Sequence, residues 1–214
     1  MSENKRDFDK EAAAWDDNPV RVKLAEELAR ALCAAVPLTP DMRVLDFGCG
    51  TGLVTLRVAP RVASVTGADT SQGMLDVLTA KAAAAGWVTV FPFLIGPDGA
   101  LPGETYDLVM SSMALHHVED IPALLRALHA RLAPGGRLCV IDLEPDDGQF
   151  HADPAGVFHN GFDRGALRKQ LSAAGFKGVA GARVARVTKP GRDGALRTFA
   201  IFLMTGRRRA GSCA

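Results

Sequence analysis

Val44-Leu45-Asp46-Phe47-Gly48-Cys49-Gly50-Thr51-Gly52 decides the fold. Apolar residues run into an aspartate, glycines follow at alternate positions, and Leu53-Val54-Thr55-Leu56 begins a helix. That order reads as a strand, a tight turn and a helix N-terminus, the arrangement that cradles a nucleotide-like ligand in an α/β sheet. Gly48 and Gly50 tolerate positive φ and lack a Cβ, so a ligand approaches the backbone closely. The N–H groups of the turn and helix start are expected to face an anionic group. Asp46 pulls the other way, because a carboxylate at the strand end repels a pyrophosphate and attracts an ammonium. The loop therefore favours a ligand with an amine, a zwitterion included.

Working outward, Arg43 to Phe47 reads as a central parallel strand. Leu53 to Val58 is the expected first crossover helix, and Val62 to Ala68 a second strand ending at Asp69. An acid at that position in a βαβ unit accepts from both hydroxyls of a ribose; the plainer reading is a cap or a loop acid. Thr70 and Ser71 lead into a helix, Gln72 to Ala85, that puts Met74 either at the ligand or in the core. Val88 to Ile95 is strand three, interrupted by Pro92. Asp98 and Gly99 sit in an irregular loop, where Asp98 either reaches the ligand or makes the turn. Tyr106 to Ser112 is strand four with Ser111 near its exit. His116 and His117 follow; adjacent side chains point apart in a regular backbone, so no metal pair is expected. A helix from Ile121 to Leu132 is stopped by a turn at Pro134-Gly135-Gly136, and Arg137 to Leu143 is strand five. Asp163 caps a helix, Arg164 to Ala174. Val179 to Val187 and Leu196 to Met204 are joined too closely for a crossover and form an antiparallel hairpin. The pattern predicts an α/β, Rossmann-like, seven-stranded, mostly parallel sheet with helices on both faces and a C-terminal antiparallel hairpin.

Residues 1–36 form a helical leader. It carries Phe8 and Trp15, a helix from Lys10 to Trp15 ended by Pro19, and an amphipathic helix from Val20 to Val36. It is either a segment pinned to the surface or a lid over the pocket. Residues 37–206 form the core and 207–214 a solvated basic tail. Residues 144–162 form a substrate-side loop rich in aromatic and titratable groups. Its His151 and His159, with His116 and Glu144, are the candidate general bases. The acids from Asp142 to Asp147 have no spacing that completes a metal cage, so no metal is expected.

The chain has 214 residues, is 48% hydrophobic and carries a formal net charge of +1. One well-packed domain with a cap fits that length, and nothing in the charge points to nucleic acid or a membrane surface. Cys33, Cys49, Cys139 and Cys213 are far apart, which fits a reducing compartment rather than a metal site. No apolar run follows Met1 to Asp7 and none is long enough to span a bilayer, so a cytoplasmic chain, monomer or homodimer, is the expectation.

The opening loop, Asp69, Asp107-Leu108-Val109, Leu115-His116-His117 and Leu132-Ala133-Pro134-Gly135-Gly136 together resemble the class I S-adenosylmethionine-dependent methyltransferases of the small-molecule type 11/12 group. The resemblance spans residues 40–143 closely and 20–205 loosely. It implies that Asp46 and Gly48-Cys49-Gly50 surround the methionine part of S-adenosylmethionine, that Asp69 holds the ribose, and that Asp98 and Gly99 contact adenine. Thr70, Met74 and Ser111 complete the cofactor-side set. The implied reaction is in-line methyl transfer to O, N or C of a small molecule. Ser111-Ser112-Met113-Ala114 stands where amino-directed nucleic-acid methyltransferases carry Asn/Asp-Pro-Pro-Tyr, which disfavours that class. Alternatives are a macromolecule methyltransferase, a catalytically silent cofactor-binding module and a nicotinamide-dependent oxidoreductase. Against the last, Leu53 stands where the dinucleotide fingerprint has its third glycine.

Overall fold

The structure, a computed structural model, describes residues 6–211. Cys213 lies outside the described residues. The elements in chain order are α1 (Phe8–Glu11), α2 (Pro19–Ala35), β1 (Arg43–Phe47), α3 (Thr55–Val58), β2 (Ser64–Asp69), α4 (Gln72–Ala84), β3 (Val90–Leu94), β4 (Tyr106–Ser112), α5 (Ile121–Arg131), β5 (Leu132–Leu143), α6 (Arg164–Ala173), β6 (Lys177–Pro190) and β7 (Leu196–Arg207). They build one seven-stranded sheet in the order β3-β2-β1-β4-β5-β7-β6. β7 alone runs against its neighbours, pairing antiparallel with β5 and with β6.

Period-two alternation divides the core in two. Val44, Val65, Leu108, Met110, Cys139 and Ile141 pack under α2, α3 and α4 on one face. Leu45, Ala68, Val109, Leu138 and Val140 pack under α5 and α6 on the other. The expected helices on both faces are thus present. Among the described residues no helix is long and apolar enough to cross a membrane.

Several local expectations are corrected. The leader helix is not Lys10 to Trp15 but α1 followed by a 3₁₀ segment, Ala12–Asp17. Pro19 opens α2 rather than ending its predecessor, since Pro suits the first helical turn, and Asn18 Oδ1 accepts from the amides of Val20 and Arg21 at 3.0 and 3.3 Å. The first crossover shrinks to α3 and a 3₁₀ turn at Ala59–Arg61. β3 tolerates Pro92 because it is an edge strand. Pro134-Gly135-Gly136 is not a turn before β5 but a bulge within it. Leu132 pairs with Tyr106 and Arg137 with Leu108, so Ala133 to Gly136 bow out opposite Asp107 alone. The basic tail is partly tied down. Arg207 is the last residue of β7, and Arg208 donates to the Leu132 carbonyl at 2.6 Å and to those of Ala130 and His129 at 3.2 and 3.4 Å, binding carbonyls at the end of α5.

Candidate active site

The loop after β1 folds back onto the end of β2. The amides of Gly48 and Cys49 donate to the Ala68 carbonyl at 2.8 and 3.2 Å. The Gly50 amide donates to Asp69 Oδ2 at 2.8 Å, and Asp69 Oδ1 accepts from the Ser71 amide at 3.0 Å. These three turn amides are therefore spent inside the protein. The same end of the loop also presents a carboxylate to the cavity. Asp46 is buried and accepts from Thr55 Oγ1 at 2.6 Å; burial pushes its carboxyl up to about 7. Burial raises the Asp69 carboxyl as well. Gly48 has φ +70° and a Cβ there would lie 2.3 Å from Ala114 Cβ, so the loop closes directly on the segment that leads to His116.

The loop forms one wall of a cavity of about 550 Å³, within the range of small-molecule sites. Asp46, Gly48, Cys49 and Gly50 line it with His116, His117 and His151 opposite, and Arg6, Trp15 and Arg21 come from the leader. The leader is fastened across the loop. Asp16 accepts from Thr51 Oγ1 at 2.6 Å and from Lys81 Nζ at 2.5 Å, and Asp9 accepts from Ser71 Oγ and the Gly73 amide at 2.6 and 2.7 Å. Phe8 packs edge-on to Trp15 and to His117.

The histidine wall departs from the sequence expectation. Met113 adopts φ +56° and Leu115–His117 form a 3₁₀ turn, so the two adjacent rings lie 4.3 Å apart between centroids rather than pointing apart. His116 Nδ1 meets Asp142 Oδ1 at 2.7 Å in a fully buried pair. His117 Nδ1 donates to the Gly156 carbonyl at 2.7 Å, and its ring is neutral because burial and the neighbouring His116 lower its pKa to about 4. His151 Nε2 is buried without a hydrogen-bond partner, and burial with the adjacent histidines, Arg6 and Lys189 drives its pKa far down.

A methyltransferase-domain family matches residues 20–180. The chain belongs to that family. The Rhizobium etli protein named ubiquinone biosynthesis O-methyltransferase is 34% identical over 128 residues, covering 58% of this chain and 51% of that one. The chain spans about half the length of the first curated relatives it matches. Among solved structures, a methyltransferase of Haloferax volcanii bound to its Trm112 activator superposes with TM-score 0.77 at 20% identity, covering 95% and 99% of the two chains. DhpI, solved with S-adenosylhomocysteine, superposes with TM-score 0.70 at 21% identity over 94% and 93%. The methyltransferase fold read from the sequence is present.

Within this methyltransferase domain the named residues separate clearly. Asp46, Gly48, Cys49 and Gly50 line the cavity, and Asp69 adjoins them through Gly50. Thr70 is exposed, and Met74 is buried under the Ser71-capped start of α4. Asp98 makes its own turn, accepting from the Ala100 amide at 3.1 Å, and neither it nor Gly99 reaches the cavity. Ser112, not Ser111, lines it, because Asp46 pairs in register with Met110 and alternation turns Ser112 to the same face. Of the base candidates, His116 and His151 are in the cavity. His159 is not: its Nε2 lies 3.0 Å from the Val118 carbonyl and its ring rests on Phe162. Glu144 is held by Arg183 and Arg164 and does not line the cavity. Sequence reading missed Asp142 as the partner of His116, and Arg6, Arg21 and Lys189 as cavity cations.

Proposed function

We propose that the chain transfers a methyl group from S-adenosylmethionine to a small, partly apolar acceptor bearing an anionic group. The single cavity bounded by the acidic glycine loop on one side and by histidines and cations on the other carries this reading. Its donor set suits the methyl donor: Asp46 faces an ammonium, Asp69 keeps lone pairs for ribose hydroxyls, and Gly50, with open space where a Cβ would stand, admits close approach. S-adenosylmethionine supplies, when bound, a methyl already activated on a sulfonium. The chain's own residues then have to align the acceptor, exclude water and take a proton where the acceptor has one to lose. The leader over Thr51 acts as a lid that keeps the cavity dry.

Arg21 lies 3.8 Å from the Trp15 ring centroid, and Lys189 lies 3.8 Å from that of Phe150 and donates to its carbonyl. Neither makes an ion pair among the described residues. Burial lowers the pKa of both. Two half-buried cations on aromatic faces suit an aromatic acceptor with a carboxylate. Incubation with methyl-labelled S-adenosylmethionine and a panel of hydroxylated and aminated aromatic acids should move label into the small-molecule fraction. Label confined to added protein or nucleic acid would contradict this reading.

Asp46 gives a pH signature. Its folded pKa of about 7 falls when an ammonium binds beside it. Below about pH 7 binding therefore releases up to about one proton, and affinity rises with pH until Asp46 is ionised in the free chain. For folding, the unfolded carboxyl titrates near 3.8 and the folded one near 7, so this group's contribution to stability falls as pH rises through that window. Calorimetry of S-adenosylhomocysteine binding near pH 6, in two buffers of different ionisation enthalpy, measures the proton; equal heats would remove Asp46 from the ammonium site.

A further inference from the structure

We propose that His116, His117 and His151 bind a divalent transition-metal ion of the zinc class in the acceptor half of the cavity. The nitrogens these rings offer lie within 4.8 Å of one another. Each ring is set for the task. His116 spends Nδ1 on the buried Asp142 and His117 spends Nδ1 on the Gly156 carbonyl, which leaves Nε2 of both available. A carboxylate or a carbonyl holding the far nitrogen is how metal-binding histidines are oriented and made more basic. His151 Nε2, buried beside them, is a polar atom that finds no hydrogen-bond partner in the folded chain. Closing on zinc at 2.0–2.1 Å brings ligand nitrogens to about 3.4 Å apart in a tetrahedral site. Rotation of the rings, above all of the unanchored His151, supplies the contraction.

Three imidazoles with no thiolate and no carboxylate in the first coordination sphere select zinc-like ions over magnesium or calcium. Three protein ligands leave a fourth position open, as catalytic zinc sites do. The three rings line the same cavity as the glycine loop, so the open position is accessible from it. Resting on the methyl-transfer reading, that position takes a hydroxyl oxygen of the acceptor. Coordination lowers the hydroxyl pKa, and its proton is released to bulk solvent as the acceptor enters, before the cavity closes.

The test uses the full chain stripped with chelator. Zinc titrated against a chromophoric chelator should bind at one equivalent, and Co²⁺ in its place should give the visible spectrum of a four-coordinate ion. His151→Ala, which breaks no hydrogen bond, should weaken zinc at least about 100-fold, whereas His159→Ala, outside the cluster, should leave it unchanged. Unaltered zinc affinity in His151→Ala, or no stoichiometric zinc on a folded chain that binds S-adenosylhomocysteine, would overturn the metal site and leave the methyl-donor reading intact. Zinc bound at one equivalent by a chain that does not bind S-adenosylhomocysteine would support the metal site and overturn the methyl-donor reading instead.

Discussion

Replacing Asp69 with alanine is expected to weaken S-adenosylhomocysteine binding by roughly 10- to 150-fold, the equivalent of ~1.5–3 kcal/mol for a hydrogen bond to a charged group. Asp69 acts at two levels. Its Oδ2 holds the Gly50 amide and its Oδ1 the Ser71 amide, which fixes the glycine loop against the start of α4. An ionised carboxylate has further lone pairs, and these are the ones a ribose would use. Asp69→Asn keeps an acceptor but loses the charge, so an intermediate loss is expected. Titration calorimetry, with circular dichroism to confirm folding, measures both variants, and alanine with unchanged affinity would remove Asp69 from the ligand site.

Gly48→Ala is expected to cost ~2–5 kcal/mol of stability. About 1–2 kcal/mol comes from a left-handed conformation imposed on an L-residue, and about 1–3 kcal/mol from overpacking. At φ +70° the new Cβ would stand 2.3 Å from Ala114 Cβ. Gly50→Ala is the control: its φ is +53° and nothing lies within 4 Å of the added atom, so only the conformational cost of about 1–2 kcal/mol applies. Ala114→Gly in the Gly48→Ala background should recover the packing part and leave the rest. Denaturant unfolding of the four chains decides it, and equal losses at Gly48 and Gly50 would mean that loop and histidine segment do not meet as described.

Much of this fold was legible because its signals are local. Val44 and Leu45 alternate into opposite core clusters, and the short Lys189-to-Gly194 connection forced the final hairpin. Asp46 and Asp69 were legible because strand ends before a turn mark the crevice. Ser111 was misplaced because its face depends on how β4 is registered against β1, a relation between distant residues. Asp98 was ambiguous from composition, since a turn and a ligand contact ask for the same side chain. The histidine wall was invisible for a different reason. Regular backbone sends neighbours apart, and only the left-handed Met113 with its 3₁₀ turn brings His116 and His117 together and lets His151, far along the chain, join them. The leader contacts, Asp16 with Thr51 and Lys81, likewise link residues that no spacing rule connects.

The cavity behind the glycine loop is expected to take S-adenosylmethionine rather than a dinucleotide. Calorimetric titration of the full chain with S-adenosylhomocysteine and, separately, with NADH distinguishes the two. The expected result is one S-adenosylhomocysteine site per chain and no heat from NADH. Binding of NADH by a folded chain that ignores both S-adenosylhomocysteine and S-adenosylmethionine would contradict it.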